Sequence, residues 1–186
     1  MYKDESLKKY LDDLSAKLAA PGGGSAAALN AAMAVSLIGM VVNFTLGKPK
    51  YALYEKELRG VLGKSEKLRT GFLDLVDRDV LAYRSRNVRD ALDVPFMVCR
   101  LCFEGAKLCP ALIKKGNINL ISDVAVAAVF LESAFAAAYY NVEINLKSLG
   151  DKNLAKAVRK ELSRKYSLIK KIRMETEAGV GKIIRG

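Results

Sequence analysis

Apolar residues recur along the chain at three- and four-residue intervals almost from end to end, and no run of single alternation lies between turn signals. That periodicity predicts helices. An amphipathic stretch runs from Glu5 to about Leu18, and Ser25 to Leu46 is apolar almost all round. Another helical stretch runs from Lys50 to roughly Arg89, Pro95 opens one that reaches about Lys115, and Ser122 caps one that ends near Leu149. The last, from Lys152 to about Arg173, carries Leu154, Val158, Leu162, Tyr166 and Ile169 on one stripe beneath a basic outer face. The expected fold class is therefore all-α: a single-domain bundle of long helices covering residues 1–186.

The Ser25 to Leu46 stretch has the length of the ~20 apolar residues that cross a bilayer. It is interrupted by Asn30, Ser36 and Asn43, and alanine outnumbers leucine. A central bundle helix packed on all sides is the expected reading, with no membrane partner. Ser36, Gly39 and Asn43 share a stripe, which makes that face either a close helix contact or the wall of a polar pocket. In front of this helix stand Pro21, Gly22, Gly23 and Gly24. A glycine turn feeding a helix N-terminus can cradle an anion, or can simply be a turn with Ser25 as its N-cap. The Lys-Ser/Thr pair of a phosphate-binding loop is missing, and the preceding residues are spaced as a helix rather than a strand.

Composition fits one domain with a sizeable core: 186 residues, 51% hydrophobic, four prolines and no linker-like stretch. The charged start, MYKDESLKKYLDD, lacks the apolar run of a signal peptide and points to the cytoplasm. A formal net charge of +11 would suit an acidic partner. The basic final helix lacks interleaved aromatics or a recognised module, so nucleic acid is not the favoured partner.

Histidine is absent, which excludes Ser-His-Asp and Cys-His catalysis and His-containing zinc sites. Cys99, Cys102 and Cys109 lie in an apolar helical stretch and read as small core residues with free thiols. Acid–base chemistry then falls to carboxylates, Tyr, Lys or Cys. Asp79 sits one helical turn before Tyr83, a proton-handling pair if that face is buried. Asp123 follows Ser122 in a first helical turn, where the dipole favours a carboxylate. Asn141, Asn145 and Ser148 share a face of an otherwise apolar helix, marking an interhelical network or a ligand.

In order and spacing, PGGGSAAAL, NFTLGK with Tyr51 just after, DVLAY, the VP at Val94, GNINLISDVAVAA and NVEINLKSL resemble the folate cyclodeaminase/cyclohydrolase family. The family comprises formimidoyltetrahydrofolate cyclodeaminase domains and stand-alone methenyltetrahydrofolate cyclohydrolases, and the resemblance runs from about Leu7 to Asp151. It implies a helical, homodimeric one-carbon enzyme acting at the N5/N10 bridge of tetrahydrofolate, with no metal or redox cofactor. Gly22, Gly23, Gly24 and Ser25 would approach the folate. Asp79 and Asp123 would be the catalytic carboxylates. Asn43, Tyr83, Asn117, Ser122, Asn141 and Asn145 would bind and position the substrate, and Lys48 and Lys147 would hold its glutamate tail, polyglutamylated or not. Tyr83, Ile118 and Val124 depart from the family's usual phenylalanine, proline and small residue. The enzyme reading expects one concave pocket near a subunit interface that unites the glycine turn, Asp79, Asp123 and the Asn stripe. A wide separation of Asp79 from Asp123 would favour the alternative, a non-catalytic protein that uses its basic last helix to bind nucleic acid or another anionic partner.

Overall fold

The chain is helical from end to end in a computed structural model that describes residues 1–186, and it contains no strands. The α-helices are α1 (Leu7–Ser15), α2 (Gly23–Asn43), α3 (Glu55–Ser85), α4 (Val88–Ala106), α5 (Cys109–Lys115), α6 (Ile121–Leu149) and α7 (Lys152–Arg185). The all-α, single-domain expectation holds, and several boundaries move for identifiable reasons.

Ser6 caps α1 by accepting the Lys9 N–H, which starts that helix at Leu7. Pro49–Tyr54 forms a 3-10 turn, so α3 begins at Glu55 rather than Lys50. The expected run to Arg89 stops early because Arg86 adopts a left-handed conformation with φ 55° and ends α3. Asn87 then caps α4 by accepting from Arg89 and Asp90 N–H groups, so Pro95 lies inside α4 instead of opening it. Pro110, in the first turn of α5, separates α4 from α5 where one helix was expected. A 3-10 turn at Ile118–Leu120 leads into α6, placing Ser122 one residue inside that helix rather than at its cap. Asp151 caps α7, which continues past Arg173 to Arg185.

α2 packs against α3 on one side and α6 on another, with α4 and α7 closing over α6. α2 and α6 run antiparallel. Gly23 faces Asn141 at one end, and Asn30 Nδ2 donates to Phe130 O at 3.3 Å and Ser133 Oγ at 2.9 Å along the seam. At the other end Asn117 Nδ2 donates to Phe44 O at 3.2 Å. Alanines make the close approach possible: Ala28, Ala31, Ala34, Ala127, Ala128, Ala134 and Ala138 are all fully buried. Phe72, Phe135, Ile38, Leu58, Leu131 and Leu162 fill the space between the helices. The predicted stripe of α7 packs as drawn, with Val158, Leu162 and Ile169 buried.

One expectation fails outright. α2 is not packed on all sides: Met33 is 46% exposed and Ser36, Asn43 and Phe44 also face outward. Both α2 and Ile118–Leu149 are long and apolar enough to cross a membrane, with mean hydropathies of 1.9 and 1.8, yet each is packed within the bundle along its other faces.

Gly105 lies at a close crossing of α4 with α2 and α6, since a Cβ there would lie 3.1 Å from Leu131 Cδ2 and 3.2 Å from Val35 Cγ1. Both neighbours are buried and cannot move aside without disturbing the core. Gly105→Val is therefore expected to lower stability by about 1–3 kcal/mol, read as a reduced urea midpoint with an unchanged m-value.

Candidate functional site

The first turn of α2 has no cap of its own, because Gly22 occupies the N-cap position without a side-chain acceptor. α3 supplies one instead. Asp79 Oδ2 accepts the Ser25 N–H at 2.9 Å, which sets a carboxylate on the positive end of α2. Gly24 is the condition for this approach: a Cβ at that position would overlap Asp79 Oδ1 outright. Gly23 admits a second neighbour, its Cβ position lying 3.4 Å from Asn141 Nδ2. The glycine run thus opens the start of α2 to side chains from α3 and α6.

Ser25 departs from the expected N-cap role. It lies within the first turn, wholly buried, where its Oγ donates to Val76 O at 3.0 Å and accepts the Tyr10 hydroxyl at 3.1 Å. Both functions of that hydroxyl are occupied by the protein. Asp79 is half-buried, and burial pushes its carboxyl above the usual 3.8, with the Ser25 N–H pulling the other way and no cation contributing. Such a group takes up a proton more readily than an ordinary aspartate. Tyr83 is not its partner: it is 60% exposed near the end of α3, while Asp79 turns inward to α2.

Asn145 is accounted for by proline chemistry. Pro95 has no N–H for the Ala91 carbonyl one turn earlier, and Asn145 Nδ2 donates to that carbonyl at 2.6 Å. The residue expected to position substrate therefore completes α4. Asn141 keeps its amide on its own helix, donating to Ala137 O at 3.0 Å, and remains beside the glycine turn. Lys147 is exposed and lines an open groove with Tyr140, Lys152, Lys156 and Arg159.

The remaining expected residues lie at the other end of α2. Asn117 is buried and spends its side chain on structure: Nδ2 bonds Phe44 O, and Oδ1 accepts the Asn119 N–H at 3.2 Å. Its own N–H donates to Thr45 Oγ1 at 2.9 Å. Asn117 is thus a tie between the end of α2 and the start of α6, not a free substrate contact. Ser122 is exposed, Asp123 is half-buried in the first turn of α6, and Asn43 and Lys48 are exposed at and just beyond the end of α2.

The expected single pocket is not formed within one chain. Asp123 and Asn141 are five turns apart on α6, about 27 Å at ~1.5 Å per residue. The glycine turn, Asp79 and Asn141 make one group, and Asn43, Lys48, Ser122 and Asp123 make another at the opposite end of the same two helices.

Tyr10, Thr45 and Asp77 carry weight that the sequence did not reveal. Tyr10 is the buried residue of an otherwise solvated α1, so its neighbours gave no hint of its contact with Ser25. Thr45 Oγ1 holds the Asn117 backbone and donates to Val41 O at 2.6 Å. Asp77 is buried beside Tyr2, whose N–H donates to Oδ1 at 2.6 Å while Oδ2 has no partner. Its position two residues before Asp79 was the available signal.

Two outcomes follow from this geometry. Gly24→Ala is expected to displace Asp79 from the Ser25 N–H and cost about 1–3 kcal/mol, and the double variant Gly24→Ala/Asp79→Ala is expected to be barely less stable than Asp79→Ala alone in a thermal-unfolding cycle. Cys99, Cys102 and Cys109 are fully buried, and burial pushes all three thiols up, that of Cys109 to about 12. A thiol-specific chromogenic disulfide should find no reactive cysteine in the native protein at pH 8 and three in denaturant.

The profile of the family described as Formiminotransferase-cyclodeaminase matches residues 6–86 and 84–164. A Methenyltetrahydrofolate cyclohydrolase from Methylorubrum extorquens is 36% identical over 87% of this chain and 89% of its own length. The Formimidoyltransferase-cyclodeaminase of Rattus norvegicus is 30% identical over 86% of this chain, which corresponds to 34% of that longer protein. The crystal structure of formiminotetrahydrofolate cyclodeaminase from Thermotoga maritima superimposes with a TM-score of 0.94 at 28% identity, covering 99% of this chain and 100% of the other. The chain belongs to the formiminotransferase-cyclodeaminase family.

Proposed function

We propose that this protein is a folate one-carbon enzyme that works at the N5/N10 bridge of tetrahydrofolate, with methenyltetrahydrofolate cyclohydrolysis as its reaction. The observation that carries this reading is the half-buried Asp79 carboxyl, raised above the ordinary range at the glycine turn with no cation holding it charged. The name of the bacterial relative that matches over nearly its whole length supports the choice of reaction. Cyclodeamination of the 5-formimino compound is the second reading, favoured by the end-to-end superposition on the Thermotoga protein.

Both reactions pass through a tetrahedral carbon flanked by two nitrogens. In the hydrolytic direction water adds to the methenyl carbon, a base takes its proton, and one C–N bond then breaks to leave a formyl group. Asp79 serves as the base, because a carboxylate with a raised pKa can accept that proton and return it to the departing nitrogen. Asp123 serves as the second carboxylate, Asn141 orients the substrate beside the glycine turn, and Lys48 and Lys147 hold the glutamate tail, whether single or extended. None of these steps calls for a metal or a redox cofactor, and we take the homodimer as the working form in the cytoplasm.

The distance between Asp79 and Asp123 within one chain would by itself favour a non-catalytic anion-binding protein. Membership of a family of enzymes weighs against that alternative, and part of the basic surface of α7 is already paired, Arg159 with Glu143 at 2.6 Å.

Purified protein should speed the loss of methenyltetrahydrofolate absorbance, and Asp79→Asn and Asp123→Asn should each slow it by about 10²–10⁴-fold while binding folate. Appearance of the methenyl signal from 5-formiminotetrahydrofolate would assign the deaminase reaction instead; folate binding without either reaction would refute catalysis. Because burial disfavours the charged form of Asp79, the active base is lost at a higher pH than for an exposed aspartate. The acid limb of kcat/KM should therefore titrate above 3.8.

A further inference from the structure

α1 is short and solvated, and Tyr10 is its one buried side chain, 3% exposed. A tyrosine set that deep brings a hydroxyl that must be satisfied. The Tyr10 hydroxyl lies 3.1 Å from Ser25 Oγ, and Ser25 Oγ lies 3.0 Å from Val76 O. A carbonyl oxygen can only accept, so the single hydroxyl proton of Ser25 goes to Val76. Ser25 Oγ must then accept from Tyr10, which fixes the direction of both bonds. Burial pushes the Tyr10 hydroxyl above its usual range and so keeps it a protonated donor.

The N-terminal segment holds Tyr10 in place. The Tyr2 ring meets the Tyr10 ring edge-on, with centroids 5.4 Å apart. Tyr2 is itself fastened to α3, its N–H donating to Asp77 Oδ1 at 2.6 Å, and to α1, its hydroxyl donating to Asp13 Oδ2 at 2.8 Å. Lys3 adds an ion pair with Asp74 at 2.8 Å. The segment thus rests on α3 between Asp74 and Asp77, two residues short of Asp79.

Ser25 meets α3 twice, through its hydroxyl at Val76 and through its N–H at Asp79, one helical turn apart. That N–H is the one hydrogen bond the Asp79 carboxylate receives. A serine whose N–H rests on a carboxylate can bring its hydroxyl to the same group by one χ1 rotation. Tyr10 and Val76 together deny it that option. We propose that Tyr10 is a positioning residue for Asp79, acting through Ser25: its hydroxyl holds the Ser25 proton on Val76, which leaves the carboxylate with a backbone N–H as its only donor. A second donor would stabilise the charged carboxylate and make it a weaker base, whereas one N–H orients it and leaves most of its affinity for a proton. The titratable group of α1 at this site is Tyr10, while α2 presents Gly24 and Ser25 and α6 presents Asn141 beside Gly23, none of which titrates. The proposal rests on the reading of Asp79 as the base of the folate reaction, while the chain of contacts from Tyr10 to Asp79 rests on the hydrogen bonds alone.

NMR of protein with isotope-labelled aspartate carboxyls follows Asp79 directly, its resonance assigned by Asp79→Asn. Tyr10→Phe keeps the ring and removes the hydroxyl, so the Asp79 titration should move down by roughly one pH unit as the Ser25 hydroxyl turns to the carboxylate. Tyr10→Phe/Ser25→Ala has no hydroxyl to turn, and its Asp79 should titrate as in wild type. The acid limb of kcat/KM should follow the same pattern, with turnover of Tyr10→Phe reduced about 3-fold and KM unchanged. A Tyr10 that merely fills space would leave the Asp79 titration where it is in Tyr10→Phe, and that result overturns the proposal, as does a shift that persists in the double variant. Should Tyr10→Phe fail to fold, Tyr10→Leu takes its place in both. If wild type proves inactive on both folates, the base assignment falls, and the NMR titrations still decide whether Tyr10 controls the donors that reach Asp79.

Discussion

A carboxylate from one helix caps the N-terminus of another, and much of this protein is arranged around that contact. Asp79 can reach the Ser25 N–H only because Gly24 has no side chain, and it can remain there half-buried only because the α2 dipole and that N–H compensate part of its lost hydration. The same turn buries Ser25 against Val76 and Tyr10, and Tyr10 in turn fastens α1 to the bundle. Fold and chemistry therefore share atoms here: the group that closes α2 is also the group whose proton affinity has been raised.

Similar borrowing recurs where helices would otherwise leave backbone groups unpaired. Asn117 and Thr45 join the end of α2 to the loop before α6. Asn145 replaces the N–H that Pro95 cannot offer to Ala91. Each amide lies near a family motif and looks like a ligand contact in the sequence, yet each satisfies a buried backbone group whose neglect would cost about 1–3 kcal/mol. Buried polar residues in a helical enzyme thus have two competing explanations, and only the identity of the hydrogen-bond partner separates them.

The distribution of charge sorts the surface into two kinds. α2 and the outer stripe of α6 are apolar and free of charge, while α7 and the groove around Lys147 carry the cations. A positive chain of this sort attracts folate polyanions as readily as it would nucleic acid, and the difference lies in the pocket rather than in the net charge.

Periodicity alone determined the all-helical architecture, because a helix with a buried stripe writes its 3.6-residue repeat directly into the sequence. The glycine run and the stripe of α7 were legible for the same reason: each depends on local spacing or on residue types with few alternative uses. The true start of α4 was not, since Asn87 outranks Pro95 as a helix signal only once Arg86 has turned left-handed. Nor were the tasks of Asn117 and Asn145, whose partners lie 73 and 54 residues away in the chain. Above all, tertiary structure decided that Asp79, from α3, caps the start of α2, while Asp123 lies in the first turn of α6, at the far end of that antiparallel helix. Sequence spacing shows which residues share a helix face, but the direction in which long helices run past each other determines which motif residues can meet in one chain.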